Sequence, residues 1–168
     1  INDYFKSKQL EELNKEFERL INLMEINKNT QSVHIPTKKL SESIIFSELG
    51  LNKDFIDFAE YYFGKSIIWM GTGGTRLLPF SPQADYGSYQ WHHDAGRRQF
   101  RVIILLDDVD EEGQRMDYLL DSHHKFYWNL DNSRQTEQDV KGKGKILRCF
   151  GKKGTVILFD TNGIHRGT

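Results

Sequence analysis

From Ile67 onward the chain is a series of short strand-like runs, and this pattern limits the possible folds more than any other feature. The runs are rich in β-branched and aromatic residues, and clusters of Gly, Asp, Asn and Ser separate them. They cover residues 67–70, 75–80, 86–92, 100–106, 116–120, 146–150 and 155–160. Short strands with turn residues between them predict an antiparallel sandwich. The segment 126–141 is too long and polar for a hairpin, and residues 132–139 within it suit a short helix.

The first third of the chain is predicted to be helical instead. Apolar residues recur at intervals of three and four over 10–24, with charged residues between them, which indicates one amphipathic helix. Ser7 is placed to cap its start. A second helix is predicted over 54–63, with Asn52 as its N-cap and Gly64 to end it. Both apolar stripes are expected to pack in a core.

Composition excludes several classes of protein. A length of 168 residues suits one domain, and a hydrophobic content of 38% is that of a globular protein rather than a disordered one. The formal net charge of -1 gives the chain as a whole no basic character that would favour nucleic acid, and no apolar run is long enough to cross a bilayer. Cys149 is the only cysteine, so no disulfide forms within the chain, and its expected role is that of a small buried residue. A cytoplasmic location agrees with this.

Two motifs at the ends of predicted strands supply the ligand types of a mononuclear iron site. The first is Trp91-His-His-Asp94, and the second contains His165. Two imidazoles and one carboxylate on one side of a metal leave other positions open, as in non-haem Fe(II) oxygenases. On an extended segment His92 and Asp94 share a face while His93 points away. We therefore predict His92, Asp94 and His165 as ligands, and His93 replaces His92 only if the backbone leaves regular extension there.

Several segments of the second half of the chain follow one another in a distinctive order. They are Trp91-His-His-Asp94, Val102 to Val109, Glu112 to Met116, Asp121 to Lys125, and Gly154 to Asp160 followed by His165-Arg-Gly167. This order resembles the phytanoyl-CoA dioxygenase-like family of Fe(II)/2-oxoglutarate-dependent oxygenases. The resemblance implies a mainly β fold, a double-stranded β-helix or cupin-type jelly roll, with buttressing N-terminal helices. It implies a single oxygenase domain over 1–168, helical over 1–64 and jelly roll over 65–168.

The resemblance also implies a reaction. Fe(II) would be held by His92, Asp94 and His165, with 2-oxoglutarate as cosubstrate, and O2 would be used to hydroxylate a small-molecule substrate. Related halogenases replace the carboxylate by a small residue so that chloride can bind iron, so Asp94 favours hydroxylation. Two alternatives stay open: a non-catalytic jelly-roll binding module, and a metalloenzyme on the same scaffold that needs no 2-oxoglutarate. Neither nucleic acid nor a membrane is an expected partner, and the residues predict neither the substrate nor an oligomeric state.

The chain departs from the family in one respect. Family members hold the distal carboxylate of 2-oxoglutarate with an arginine shortly past the second histidine, on a following strand, whereas this sequence stops at Thr168. We expect that arginine beyond residue 168, with Arg98, Arg101 and Arg148 as internal candidates for binding 2-oxoglutarate. The sequence also starts at Ile1, and we expect the domain to be incomplete at both ends.

Residues near the motifs are expected to support the metal ligands. A metal-bound histidine normally donates its other N–H to a carboxylate, carbonyl or water. Candidate partners close in sequence are Gln90, Asp160, Thr161 and Asn162. Ser122 and His123 match a Ser-His element of the family and are expected either to stabilise a turn or to contact the ligand. Trp91 is expected to pack in the core, and Arg166 to face away from the metal in a salt bridge.

Overall fold

The structure is a computed structural model that describes residues 1–2, 4–25, 32–78, 87–94, 98–124 and 133–168. The helices are α1 (Ser7–Ile21), α2 (Thr37–Ser41), α3 (Ile44–Gly50), α4 (Lys53–Phe63) and α5 (Glu137–Val140). The strands are β1 (Ser32–Ile35), β2 (Gly74–Leu77), β3 (Trp91–His92), β4 (Phe100–Ile104), β5 (Met116–Leu119), β6 (Arg134–Gln135), β7 (Ile146–Cys149), β8 (Val156–Asp160) and β9 (His165–Gly167). None of the helices described is both long and apolar enough to span a bilayer.

The chain divides into two compact units, and the first, residues 5–80, is mainly helical. The apolar face of α1 is buried as its spacing predicts, through Leu13, Phe17, Leu20 and Ile21. Strands β1 and β2 pair antiparallel in a two-stranded sheet. The predicted cap of α1 is wrong by one residue. Lys6 is the N-cap, and its backbone N–H donates to Gln9 Oε1 over 3.1 Å, so Ser7 already lies inside the helix.

The predicted second helix is confirmed as α4. Asn52 Oδ1 accepts from the backbone N–H of Asp54 over 3.0 Å, and Gly64 ends the helix with a left-handed φ of 67°. The strand predicted over 67–70 is wrong. That run has no strand partner among the described residues. The next strand along the chain, β2, pairs with β1 and with no other strand. A β-rich composition forms no strand without a neighbour to complete its hydrogen bonds.

The second unit, residues 1–4 and 81–168, contains two antiparallel sheets that pack face to face. The larger has the strand order β6-β3-β9-β5-β7, and the smaller is β4-β8. Tyr118 of β5, Cys149 of β7 and Phe159 of β8 form a buried cluster between them. The Tyr118 and Phe159 rings meet edge to face, with centroids 6.0 Å apart. The expected burial of Cys149 is confirmed, and this burial raises the pKa of its thiol to about 11.

Most strand predictions in this unit are confirmed. The runs that form strands nearly as predicted are 100–106, 116–120, 146–150 and 155–160. Within the described residues 87–92 of the run 86–92, only β3 is a strand, because Gly87 has a φ of 58° and Gly87–Tyr89 makes a turn of 3-10 helix. The described part of the segment 126–141 contains β6 and the short helix α5, which begins after its cap Thr136. Residues 125–132 lie outside the described part of the chain.

Candidate metal centre

Neighbouring strands bring the two sequence motifs together. His92 on β3 and His165 on β9 are antiparallel partners, so their side chains point to the same face of the larger sheet. Their ring centroids lie 4.4 Å apart. Asp94 follows the end of β3, and its backbone N–H donates to Thr161 O over 3.0 Å, which places its carboxylate beside both rings. We call His92, Asp94 and His165 the triad.

The donor atoms of the triad are spaced for a single metal ion. Asp94 Oδ1 lies 3.8 Å from His92 Nε2 and 3.9 Å from His165 Nε2. All three ligand atoms lie within 4.8 Å of one another. Two ligand atoms that each lie about 2.1 Å from a metal, at right angles to each other, are separated by about 3 Å. The ligand atoms of the triad would therefore have to move together by about 1 Å to hold a metal ion. Across the described residues, no other group of three such side chains comes together.

Backbone carbonyls fix the orientation of both imidazoles. His92 Nδ1 lies 2.8 Å from Gln90 O, and His165 Nδ1 lies 2.8 Å from Gly163 O. A carbonyl oxygen only accepts, so each Nδ1 carries the proton and each Nε2 keeps its lone pair for a metal. Gln90 was among the predicted partners, and it acts through its backbone. Gly163 was missed, although it stands two residues before His165 just as Gln90 stands two residues before His92.

Burial favours the neutral form of both histidines. Burial lowers the pKa of His92, while its hydrogen bond to Gln90 O works in the opposite direction. Burial likewise lowers the pKa of His165 to about 4. The charge of Arg101 lowers, and that of Asp94 raises, the pKa of both rings to a smaller extent. Neutral imidazole is the form that binds a metal, so neither histidine has to lose a proton before it binds one at neutral pH.

His93 points away from the triad, as strand alternation predicts. Its side chain is buried, and its Nδ1 lies 2.7 Å from Asp94 O. Its backbone N–H donates to Ser133 O on the side of the edge strand β6. His93 is therefore not a member of the cluster that His92 and His165 form with Asp94.

The three internal arginines proposed for 2-oxoglutarate occupy different surroundings. Arg101 is at the triad, where one of its Nη atoms donates to Asp94 Oδ2 over 2.9 Å. Arg98 is exposed, and within the described residues it makes no ion pair with the triad. Arg148 on β7 stands opposite Asp117 of β5 in the strand register. Its side chain therefore lies on the opposite face of the sheet from His165. It forms an ion pair with Glu111. Of the three, the structure brings only Arg101 to the candidate site.

The opposite face of β3 and β9 carries a network that joins the neighbours of both histidines. Trp91 is buried, and the Arg166 guanidinium lies 4.3 Å from the centre of its ring. Glu137 Oε2 accepts from Trp91 Nε1 over 2.9 Å and from Arg166 Nη1 over 2.7 Å. The expectations of a buried Trp91 and a salt-bridged Arg166 are confirmed. Glu137 was missed, because nothing in its local sequence marks it as a partner of residues so distant along the chain.

The Ser-His element stabilises the turn before β9. Ser122 Oγ donates to Leu119 O over 2.6 Å and accepts from the backbone N–H of Ile164 over 2.7 Å. Asn162 Nδ2 donates to His123 O over 2.9 Å. These bonds act on the residues that lead into His165, and the turn-stabilising alternative is the one that the geometry favours.

Comparison with known proteins identifies the fold. No protein-family model and no curated protein matches the sequence. Among solved structures, EctD from S. alaskensis in its apo form superposes with a TM-score of 0.69 at 18% identity. That match covers 100% of this chain and 65% of EctD. The chain has the cupin-type jelly-roll fold.

Two further structures support the same conclusion. The epimerase SnoN, solved in complex with Fe3+, alpha ketoglutarate and nogalamycin RO, has a TM-score of 0.67 at 16% identity, over 97% of this chain and 69% of SnoN. AviO1 from Streptomyces viridochromogenes has a TM-score of 0.60 at 16% identity, over 97% of this chain and 78% of AviO1. The fold that the predicted resemblance implies is thus confirmed.

Proposed function

We propose that this chain belongs to an Fe(II)/2-oxoglutarate-dependent oxygenase that hydroxylates a small-molecule substrate, with the triad as its metal ligands. One observation carries the proposal: two Nε2 atoms and a carboxylate oxygen, supplied by separate motifs, meet within 4.8 Å. The fold comparison supports it, because EctD has a structure with bound Fe and SnoN has one with Fe3+ and alpha ketoglutarate. This donor set of two imidazoles and one carboxylate suits a non-haem iron.

The chain's own residues prepare the site for that ion. His92 and His165 present neutral Nε2 atoms, because burial disfavours their charged forms and backbone carbonyls hold the proton on Nδ1. Asp94 supplies one negative charge through Oδ1. The burial of His165 keeps water from its side of the site. When bound, iron with 2-oxoglutarate would activate O2 and oxidise a substrate C–H bond, yielding succinate and CO2.

The triad favours hydroxylation over halogenation. SnoN is an epimerase, so the fold alone leaves the outcome open. Asp94 fills the carboxylate position, which argues against a halide site there. A metabolite screen under labelled O2 tests this point. A product that gains one labelled oxygen atom supports hydroxylation, and a product of unchanged composition would contradict it.

The enzymatic proposal is tested on the full-length protein with Fe(II), 2-oxoglutarate and O2, by measuring succinate. His165→Ala and Asp94→Ala should abolish succinate formation, whereas His93→Ala should retain it. His124→Ala is the matched control, because His124 is an exposed histidine, with 73% of its side chain accessible. Circular dichroism of each variant establishes that it is folded.

The outcomes separate the proposal from its alternatives. Metal binding without any 2-oxoglutarate turnover would indicate a binding module, and oxidation without 2-oxoglutarate would indicate another metalloenzyme on this scaffold. An inactive His93→Ala beside an active His92→Ala would overturn the ligand assignment. We further propose that the main arginine for 2-oxoglutarate lies beyond residue 168. The sequence of the next strand tests that expectation directly.

A further inference from the structure

The two carboxylate oxygens of Asp94 have different surroundings. Oδ1 is the oxygen that lies 3.8 Å and 3.9 Å from the two histidine Nε2 atoms. Oδ2 accepts from an Nη atom of Arg101 over 2.9 Å. One oxygen therefore faces the position of a metal while the other is held by a guanidinium. The Asp94 side chain is 21% exposed, so this contact lies partly away from water.

Both partners of this contact are anchored to the same strand. Arg101 lies on β4 opposite Phe159 of β8, and the backbone N–H of Asp94 donates to Thr161 O just after β8. Thr161 in turn donates its own N–H to Gln99 O over 3.0 Å. Backbone hydrogen bonds to β8 and to Thr161 just after it therefore fix the positions of the Asp94 and Arg101 backbones, from which the two side chains extend toward each other.

The direction of the Arg101 side chain follows from strand alternation. Ile103, two residues further along β4, packs against the core cluster between the two sheets. Successive side chains of a strand alternate between faces, so Arg101 shares the inner face with Ile103. It therefore points toward the side of the sandwich on which the triad lies, and its bond to Asp94 is a product of the fold.

We propose that Arg101 is a positioning residue of the metal centre, which ties Asp94 Oδ2 so that Oδ1 alone is presented to the metal. This inference rests on the proposed function, because it requires that the triad bind a metal. A carboxylate that is free to rotate can bind a metal through both oxygens, which would occupy a position needed by the cosubstrate or O2. Ligating carboxylates are commonly held by such hydrogen bonds, and loss of the partner typically weakens metal binding about 10- to 100-fold.

The positive charge of Arg101 repels a metal cation and so lowers the metal affinity. Its hydrogen bond to Asp94 orients the carboxylate and so raises the metal affinity. The Arg101 side chain is 52% exposed, so water and salt screen its charge. Orientation of the carboxylate depends on a direct hydrogen bond and is not screened in this way. Removal of Arg101 should therefore weaken metal binding, whereas a dominant charge effect would tighten it.

The experiment is a Co(II) titration of the metal-free, full-length protein, followed by visible absorption. Arg101→Ala should raise the Co(II) dissociation constant about 10- to 100-fold and change the shape of the Co(II) spectrum, since both carboxylate oxygens can then bind. Arg101→Gln should recover part of the affinity, because its amide can still donate to Oδ2. The matched control is Arg148→Ala. Arg148 is also 52% exposed and paired with one carboxylate, that of Glu111, away from the triad.

The outcomes of the titration test the role of Arg101 separately from the proposed function. Unchanged affinity and spectrum in Arg101→Ala, or tighter binding, would overturn the inference while the native protein still binds Co(II). Weaker binding of 2-oxoglutarate at unchanged Co(II) affinity would overturn it too, and would assign Arg101 to the cosubstrate instead. A native protein that binds no Co(II) would contradict the proposed function itself. Equal melting temperatures of the metal-free Arg101→Ala and Arg148→Ala proteins exclude a general loss of stability as the cause.

Discussion

Among the glycines that the structure describes, Gly163 is the one whose replacement by alanine should damage the site most. A Cβ at Gly163 would lie 1.8 Å from the Tyr118 hydroxyl oxygen and 2.3 Å from the ring carbon that carries it. The first distance falls about 1.5 Å short of van der Waals contact, so the side chain or the turn has to move. The turn matters for the metal centre, because Gly163 O holds His165 Nδ1.

The cost can be worked out from what Tyr118 contacts. It is 7% exposed, and its hydroxyl donates to Asp160 O over 3.0 Å. Overpacking in a core costs about 1–3 kcal/mol. Loss of a buried hydrogen bond adds about 1–3 kcal/mol when the carbonyl is left without its donor. The sum is about 2–6 kcal/mol, and its middle value of about 4 kcal/mol would lower the melting temperature by roughly 8–16 °C in a chain of this size.

The assay is thermal unfolding of Gly163→Ala with and without Co(II), with Gly73→Ala as control. A Cβ at Gly73 meets nothing within 4 Å, so the melting temperature of that variant should equal that of the native protein. Tyr118→Leu removes the clashing ring atoms, and the double variant should be less destabilised than the sum of the two single changes. A Gly163→Ala protein that melts like the native chain, or strictly additive losses, would refute the reasoning.

Three further predictions concern separate parts of the chain. Asn52→Ala should destabilise the protein by about 1 kcal/mol in urea unfolding, because the first turn of α4 loses its cap. Cys149, buried and with its pKa raised to about 11, should react slowly with iodoacetamide at pH 8 in the folded protein and rapidly in urea; equal rates would contradict its burial. Because burial lowers the pKa values of both triad histidines, Co(II) affinity should hold as the pH falls to 6.5, the usual pKa of an exposed imidazole, and decline only below it; a midpoint at 6.5 would contradict this.

Features that depend on local sequence were predictable. The spacing of apolar residues, with Asn52 and Gly64 at the ends, gave α4 nearly to the residue. Alternation along an extended segment separated His92 from His93. The run 67–70 has the composition of a strand, but a strand needs a neighbour, and pairing is decided elsewhere in the chain.

Features that depend on register were not predictable. The sequence left three arginines as equal candidates, because the face of Arg101 is set by pairing with β8 and that of Arg148 by pairing with β5. The carbonyl of Gly163 was missed because a backbone group has no side chain to mark it. Glu137 was missed because its two partners lie on strands far from it in sequence.

The face on which the histidines project is fixed by what lies on the other face. Trp91 precedes His92, and Arg166 follows His165, so both neighbours point to the outer side of the sheet. There Arg166 lies 3.6 Å from Asp117, a carboxylate only 3% exposed. A slip of β9 by one residue would turn Arg166 toward Phe159 in the apolar core and leave Asp117 buried without this partner. The cost of burying those charges in the wrong surroundings holds the register, and the register in turn keeps His165 beside His92.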